Sequence, residues 1–185
     1  TLGTARFLAG VSLNARVASC DSRNAGGVAL KYRGRTVSVS EGLLLMEAKR
    51  VFILLGVNDL AGKYPDETIG YYETLIDILE EKCGDLEIVV QGVLPVSQAF
   101  CKKRGLSIAD WNAFNQRLEA MCSERGVLFL DFSAELMDEE GYLSDTLSSD
   151  GMFHLNEAAN AIWLRALRRF ALSETQPDAI FEPAQ

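Results

Sequence analysis

The sequence predicts an α/β protein, a three-layer α/β/α sandwich built around a mostly parallel sheet. Residues 51–55, 86–93 and 127–131 are largely apolar runs. Runs of this length are typical of strands that are buried on both faces, as in a parallel sheet. Segments with helical spacing of apolar residues lie between and after these strands, and that alternation is the order that an α/β sandwich requires.

The N-terminal part of the chain carries weaker signals. Residues 6–9 form a short strand candidate, and residues 12–27 are small and polar enough to predict a loop. Residues 28–32 and 35–39 flank an Arg-Gly pair, which predicts a small β-hairpin. A doubly wound fold normally opens with a strand and a helix. No such pair precedes residue 6, so the domain is expected to lack its first strand within this sequence.

Four segments have apolar residues at helical spacing, with boundary residues typical of helix ends. They are residues 41–49 after a Ser40 cap, residues 66–83 before Gly84, the helix between Ser107 and Gly126, and residues 156–172. The basic run at 102–105 is interpreted as a solvated loop. Length predicts a single domain over residues 1–172, and residues 173–185 are interpreted as a loosely ordered tail.

Composition limits the classes of function. The chain has 185 residues, of which 48% are apolar and 24% charged, as in soluble globular domains. Its net charge is −8, which argues against nucleic acid as a partner because such binding needs a basic surface. No stretch reaches the roughly eighteen apolar residues of a transmembrane segment. The sequence leaves the oligomeric state open.

Metal and cofactor chemistry is not indicated. One histidine and four cysteines without a C-x-x-C pair do not form a zinc pattern, and no organic cofactor is implied. Cys83 and Cys122 are interpreted as buried or partly buried thiols. A disulfide joining Cys101 to Cys122, or Cys20 to Cys83, is left open.

The only histidine, His154, lies just before the last predicted helix, four residues after Asp150. An imidazole is the side chain best suited to move a proton near neutral pH, and a carboxylate could orient it. Asn58 follows the strand at 51–55, and its side-chain amide is a donor of the kind that stabilises an oxyanion. A base, an orienting carboxylate and an oxyanion donor together indicate acyl transfer.

These segments resemble a known family. Gly56-Val57-Asn58-Asp59 resembles the G-x-N-D block of the SGNH (GDSL-type) hydrolases, and Asp150 to His154 resembles their C-terminal Asp/His block, with one extra residue in the spacing. Residues 7–12, 32–39 and 111–115 also resemble a bacterial branch of the family. The resemblance covers residues 6–170.

The resemblance implies an SGNH-hydrolase, flavodoxin-like fold and a serine esterase or deacylase. It implies His154 as general base, with Asp150 orienting it. Asp145 and Asp131 are the alternative carboxylates that could hold the ring. Asn58 and a backbone N–H at Gly10 or Ser12 would hold the oxyanion. The implied substrates are small esters or acylated carbohydrates, including glycans of the bacterial cell envelope. That class favours an extracytoplasmic location over the cytoplasm.

The nucleophile is not evident. The family's Gly-Asp-Ser block has no good match, and Cys20-Asp21-Ser22 only echoes it, without a preceding strand or the turn glycine. We expect the nucleophilic serine to lie before Thr1, so that the isolated chain is inactive and poorly folded. Ser22 is the less favoured alternative. A third possibility is that the nucleophile has been lost, leaving a non-catalytic SGNH-fold module that binds a glycan or a peptide.

Overall fold

The computed structural model describes residues 29–62 and 65–175. The helices and strands within these ranges are β1 Ala29–Tyr32, β2 Arg35–Ser38, α1 Val39–Leu45, β3 Arg50–Ile53, α2 Val57–Gly62, α3 Pro65–Cys83, β4 Glu87–Gln91, α4 Gln98–Arg104, α5 Ile108–Arg125, β5 Leu128–Leu130 and α6 Glu157–Thr175. The strand predicted at 6–9 and the loop at 12–27 lie outside the described residues. The last helix continues to Thr175, three residues past its predicted end at residue 172.

The three predicted apolar strands form one parallel sheet in the order β3-β4-β5, with β4 in the centre. The β3–β4 register ends at the pair Ile53–Val90, and β4 pairs with β5 from Val89–Leu128 onward. Because parallel strands end at the same edge of a sheet, the segments that follow β3 and β4 are neighbours. The candidate site is built from these segments.

Helices cover both faces of this sheet, so the predicted α/β/α sandwich is confirmed. Ile53 packs into an apolar core with Tyr72 and Ile76 of α3 and Phe114 of α5. Its neighbour Phe52 packs instead against a second core formed largely by α6. Successive strand residues point to opposite faces, which accounts for the two cores.

A polar contact also joins α6 to the sheet. The buried side chain of Gln91, at the end of β4, accepts a 2.7 Å hydrogen bond from Nε1 of Trp163. Each group would be costly to bury alone, so their pairing sets the position of α6 on this face.

The hairpin prediction is confirmed. Strands β1 and β2 pair antiparallel, and the two turn residues Arg33 and Gly34 have φ of 48° and 79°. Positive φ at both positions is typical of the tight turn that suits a twisted hairpin. The long helix α5 is also confirmed, with a reciprocal capping box between Ser107 and Asp110 and a left-handed Gly126 at its end.

Two local predictions were wrong. Helix α1 is capped by Ser38, whose Oγ accepts the backbone N–H of Glu41, and not by the buried Ser40. The basic run interpreted as a loop is the end of α4, which Ser97 caps and a left-handed Gly105 terminates. Three basic residues in the last turn complement the helix dipole, so the charges belong to a helix end. Helix α2 was not predicted.

In the part of the chain that the structure describes, none of the helices has the length and apolar character needed to span a bilayer.

Candidate active site

The single histidine lies in the turn that leads into α6. Its Nδ1 is 2.6 Å from Oδ2 of Asp150. The other oxygen of this carboxylate, Oδ1, accepts the backbone N–H groups of Met152, Phe153 and His154 at 2.8, 3.1 and 3.2 Å. One carboxylate therefore both folds the turn and orients the imidazole. Binding Nδ1 in this way leaves Nε2 as the nitrogen that can exchange a proton with another group.

The electrostatics favour an ionised Asp150. Partial burial of the carboxyl opposes ionisation, but the imidazole of His154 and the backbone N–H groups of Met152, His154 and Phe153 outweigh it. Together they hold the pKa of Asp150 well below its ordinary value, because they bind the charged form better than the neutral one. The carboxylate is thus available to stabilise a positive charge on His154 at neutral pH.

The other two carboxylates that the sequence offered as partners are placed differently. Asp131 follows β5, and its Oδ1 accepts the backbone N–H of Ser133 at 2.8 Å. Asp145 begins an exposed 3₁₀ turn, Asp145–Leu147. Asp150 is the carboxylate that contacts the ring.

The imidazole rests on an aromatic side chain. The rings of Phe153 and His154 have centroids 4.2 Å apart and an interplanar angle of 36°. Phe153 in turn meets Phe100 of α4 edge to face, with centroids 5.3 Å apart. With 58% of its side chain exposed, His154 is open to solvent on its other side.

The histidine turn is tied to the segment after β4. The backbone N–H of Ser97 donates to the carbonyl of Met152 at 2.8 Å, and Ser97 Oγ donates to the carbonyl of Gly151 at 2.7 Å. Ser97 also caps α4, so the same residue fixes the start of that helix and the position of the histidine turn.

The G-x-N-D segment approaches the same region. Val57 and Phe153 both pack against a small buried cluster formed by Val96, Phe100 and Cys101. Each is the chain neighbour of a predicted site residue, Asn58 in one case and His154 in the other. The structure therefore brings the two predicted blocks to one edge of the sheet.

Asn58 is in the first turn of α2 and is exposed, whereas the next residue, Asp59, is buried. The turn before it is tightly constrained. Gly56 has φ of +114°, and a Cβ atom there would lie 2.7 Å from Cγ2 of Val93. The carbonyl of Gly56 accepts the backbone N–H of Leu60 at 2.8 Å, which starts α2. Only glycine fits this conformation and this space.

Side chains from α3 and α5 hold the backbone beyond the strand ends. The hydroxyl of Tyr72 accepts the N–H of Leu55 at 3.0 Å and donates to its carbonyl at 2.9 Å. The amide of Asn115 makes the equivalent pair with Val93, at 2.8 Å to the N–H and 3.0 Å to the carbonyl. Tyr72 and Asn115 are both buried, on helices that were predicted from the spacing of their apolar residues. A polar group on an otherwise apolar helix face was the only sequence signal that these side chains also bind the backbone.

A third contact of this kind involves Trp111, which lies in the 111–115 segment. Its Nε1 donates to the carbonyl of Leu94 at 3.1 Å. Together, Asn115 and Trp111 bond to the N–H and carbonyl of Val93 and to the carbonyl of Leu94.

The predicted oxyanion residues Gly10 and Ser12, and the nucleophile alternative Ser22, lie outside the described residues. Within residues 29–62 and 65–175, no serine hydroxyl is hydrogen-bonded to Nε2 of His154. Ser148 and Ser149 contact its backbone carbonyl instead.

The described cysteines are thiols. Cys101 and Cys122 are buried and Cys83 is partly buried, without a disulfide among them. Burial raises the pKa of Cys122 to about 12, so it stays protonated and packs as a small apolar side chain. Across the described residues, no three His, Cys, Asp or Glu side chains converge as metal ligands would.

Comparison with known families identifies the chain. The model of the GDSL-like Lipase/Acylhydrolase family matches residues 7–162. The chain belongs to this family. The family predicted from the G-x-N-D and Asp/His blocks is therefore confirmed. A comparison with curated protein sequences finds no match.

Solved structures support the fold. A GDSL-like lipase from Bacteroides thetaiotaomicron matches with a TM-score of 0.58 at 19% identity, over 73% of this chain and 67% of that one. A carbohydrate esterase family 3 protein from Talaromyces cellulolyticus matches with a TM-score of 0.61 at 12% identity, over 87% and 70%. The OSK domain of Drosophila Oskar matches with a TM-score of 0.55 at 14% identity, over 75% and 76%. The chain spans about two thirds of the length of the bacterial structures that it matches.

Proposed function

We propose that this protein is a serine esterase or deacylase that acts on small esters or acylated carbohydrates. His154 is the general base, and Asp150 orients it and stabilises its protonated form. Asn58 donates its side-chain N–H to the oxyanion, together with a backbone N–H at Gly10 or Ser12. The nucleophile is a serine encoded before Thr1.

The reaction has two halves. His154 removes the proton of the serine hydroxyl through Nε2 as the oxygen attacks the ester carbonyl. The negative charge that develops on the carbonyl oxygen is held by the side-chain amide of Asn58. His154 then protonates the leaving alcohol, and an acyl-enzyme forms. Water, activated by the same imidazole, releases the acid and restores the serine.

The observation that carries this proposal is the Asp150–His154 pair. At 2.6 Å the contact is short enough for a charge-assisted hydrogen bond. The carboxylate is also anchored by three backbone N–H groups, so it cannot turn away from the ring without unfolding its own turn. An aspartate that served only to fold the turn would not need to meet an imidazole.

Ester hydrolysis by the protein as its gene encodes it, including the residues before Thr1, tests the proposal. Hydrolysis of p-nitrophenyl acetate and of an acetylated xylo-oligosaccharide is measured for wild type and the Asp150→Asn variant. The amide favours the wrong tautomer of His154, so kcat is expected to fall on the order of 10³- to 10⁴-fold. The matched control is Asp138→Asn, because Oδ1 of Asp138 also accepts two backbone N–H groups in an exposed turn but meets no imidazole. Equal activity of the two variants would contradict the role of Asp150.

A second candidate function is a non-catalytic module that binds a glycan or a peptide in the same cleft. It is supported by one observation, namely that no serine hydroxyl among the described residues meets Nε2 of His154. Labelling with a fluorophosphonate separates the two functions, because this reagent forms a covalent adduct only with an activated serine. An esterase is labelled in wild type and not in a His154→Ala variant. A binding module is labelled in neither.

A further inference from the structure

The proposed mechanism does not use the hydroxyl of Tyr72, a residue of α3 that lies at the carboxyl end of β3. Tyr72 is completely buried, and its hydroxyl bonds to both the N–H and the carbonyl of Leu55. The ladder between β3 and β4 ends at Ile53, so Leu55 lies beyond the last strand pair. Among the described residues, this one side chain supplies both backbone hydrogen bonds of Leu55.

The two hydrogen bonds between the Tyr72 hydroxyl and Leu55 form a clamp on this residue. The segment that follows Leu55 leads directly to the proposed oxyanion donor. Gly56 comes next and is confined by Val93 and Phe114, which leave no space for even a Cβ atom. Its carbonyl receives the first bond of α2, on which Asn58 lies. Each residue between the clamp and Asn58 is therefore held by packing or by a hydrogen bond to the next element.

The Tyr72 hydroxyl is suited to hold the backbone and not to exchange protons. Burial raises its pKa well above the ordinary value, and the nearby carboxylate of Asp59 contributes in the same direction, against the opposing effect of its bond to Leu55. A neutral hydroxyl can both accept from the N–H and donate to the carbonyl, which a phenolate cannot.

We propose that Tyr72 is a positioning residue for Asn58: by clamping the Leu55 backbone it sets where α2 begins and where the Asn58 amide points. This inference rests on the proposed function, in which Asn58 binds the oxyanion. Tyr72 itself does not touch the substrate. Phenylalanine at this position keeps the ring in the core but removes the hydroxyl to which the Leu55 N–H and carbonyl are bonded.

The test is a double-mutant cycle between Tyr72→Phe and Asn58→Ala in the full gene product, with p-nitrophenyl acetate as substrate. Asn58→Ala is expected to lower kcat roughly 10²- to 10³-fold. Tyr72→Phe is expected to lower kcat about 10- to 100-fold with little change in KM, because a displaced donor acts mainly in the transition state. In the Asn58→Ala background the same change is expected to cost less than about twofold, since the two residues act as a unit.

Two controls separate positioning from stability. Tyr32→Phe also removes a tyrosine hydroxyl that bonds to a backbone carbonyl, but in the hairpin region. Ile76→Val trims a buried residue one turn along α3 from Tyr72 and does not touch the clamp. Both are expected to keep wild-type kcat at a temperature where all variants are folded, as judged by circular dichroism.

A further readout does not require a variant. In wild type, the Leu55 amide is expected to exchange hydrogen as slowly as the strand amides of β3, although it lies beyond the last β3–β4 pair. Rapid exchange there would overturn the clamp, even if Tyr72→Phe failed to fold. An equal loss of kcat from Tyr72→Phe in both backgrounds would overturn the link to Asn58. Full activity of Asn58→Ala would overturn both the positioning role of Tyr72 and the proposed function. An impaired Asn58→Ala together with an unimpaired Tyr72→Phe would overturn the positioning role alone.

Discussion

Replacing Gly56 by alanine is expected to destabilise the protein strongly. The new Cβ would lie 2.7 Å from Cγ2 of Val93 and 3.1 Å from Cε1 of Phe114. Both neighbours are buried in a close-packed core, so they cannot yield without disturbing it. Overpacking of this kind costs about 1–3 kcal/mol. The backbone strain of an L-residue at φ of +114° adds about 1–3 kcal/mol.

The sum, about 2–6 kcal/mol, is a large share of the ~5–15 kcal/mol by which a domain is stable. The measurement is urea unfolding at equilibrium, with Gly84→Ala and Gly126→Ala as matched controls. These glycines have φ of +56° and +67°, and a Cβ atom there would meet nothing within 4 Å. Each control is therefore expected to lose only the ~1–2 kcal/mol of left-handed strain.

A Gly56→Ala variant no less stable than the controls would refute the reasoning. It would show that Val93 and Phe114 move aside easily, and that the turn before Asn58 is loosely packed. The inference that this turn presents Asn58 rigidly would then fail as well.

Three further outcomes are expected. The folded-state pKa of Asp150 lies below its ordinary value of 3.8, so its ionised form stabilises the protein fully at neutral pH and loses this contribution as the pH falls below that value. The difference in unfolding free energy between wild type and Asp150→Asn should therefore shrink between about pH 5 and pH 2, and a constant difference would contradict the assignment. Asn115→Ala removes the side chain that bonds to the N–H and the carbonyl of Val93 in a buried place, and should lower the free energy of unfolding by about 2–4 kcal/mol in thermal or urea unfolding. Asn112→Ala, on the exposed face of the same helix, should lower it by less than about 1 kcal/mol. Ser22→Ala should leave p-nitrophenyl acetate hydrolysis by the full gene product nearly unchanged, and a loss of several orders of magnitude would assign the nucleophile to Ser22.

Local patterns in the sequence were sufficient for much of the fold. Apolar runs predicted the three parallel strands, and Ser107 with Gly126 predicted both ends of α5. The Arg33-Gly34 turn predicted the hairpin. These features depend on residues that are close in the chain, and so their signals are complete in the sequence.

Short elements were less predictable. Helix α2 has six residues and α4 has seven, which is shorter than the window of about 11–18 residues in which helical spacing can be recognised. Ser40 was predicted to cap α1, but β2 ends at Ser38 and the helix begins directly after it. Cap identity depends on where the preceding strand stops, which is a property of strand pairing rather than of composition.

The candidate site also combines features that the sequence predicted with features that only the structure shows. The spacing of Asp150 and His154 predicted a pair that one turn can close, and the G-x-N-D block predicted where Asn58 would lie along the sheet edge. The hydrogen bonds that hold the backbone after β3 and β4 were not visible in the sequence. Tyr72 is 17 residues from Leu55, and Asn115 is 22 residues from Val93. Which buried hydroxyl or amide meets which backbone group is decided only when two helices pack on the sheet. The sequence alone therefore determined which groups could take part in acyl transfer, and tertiary packing decided how their backbone is held in place.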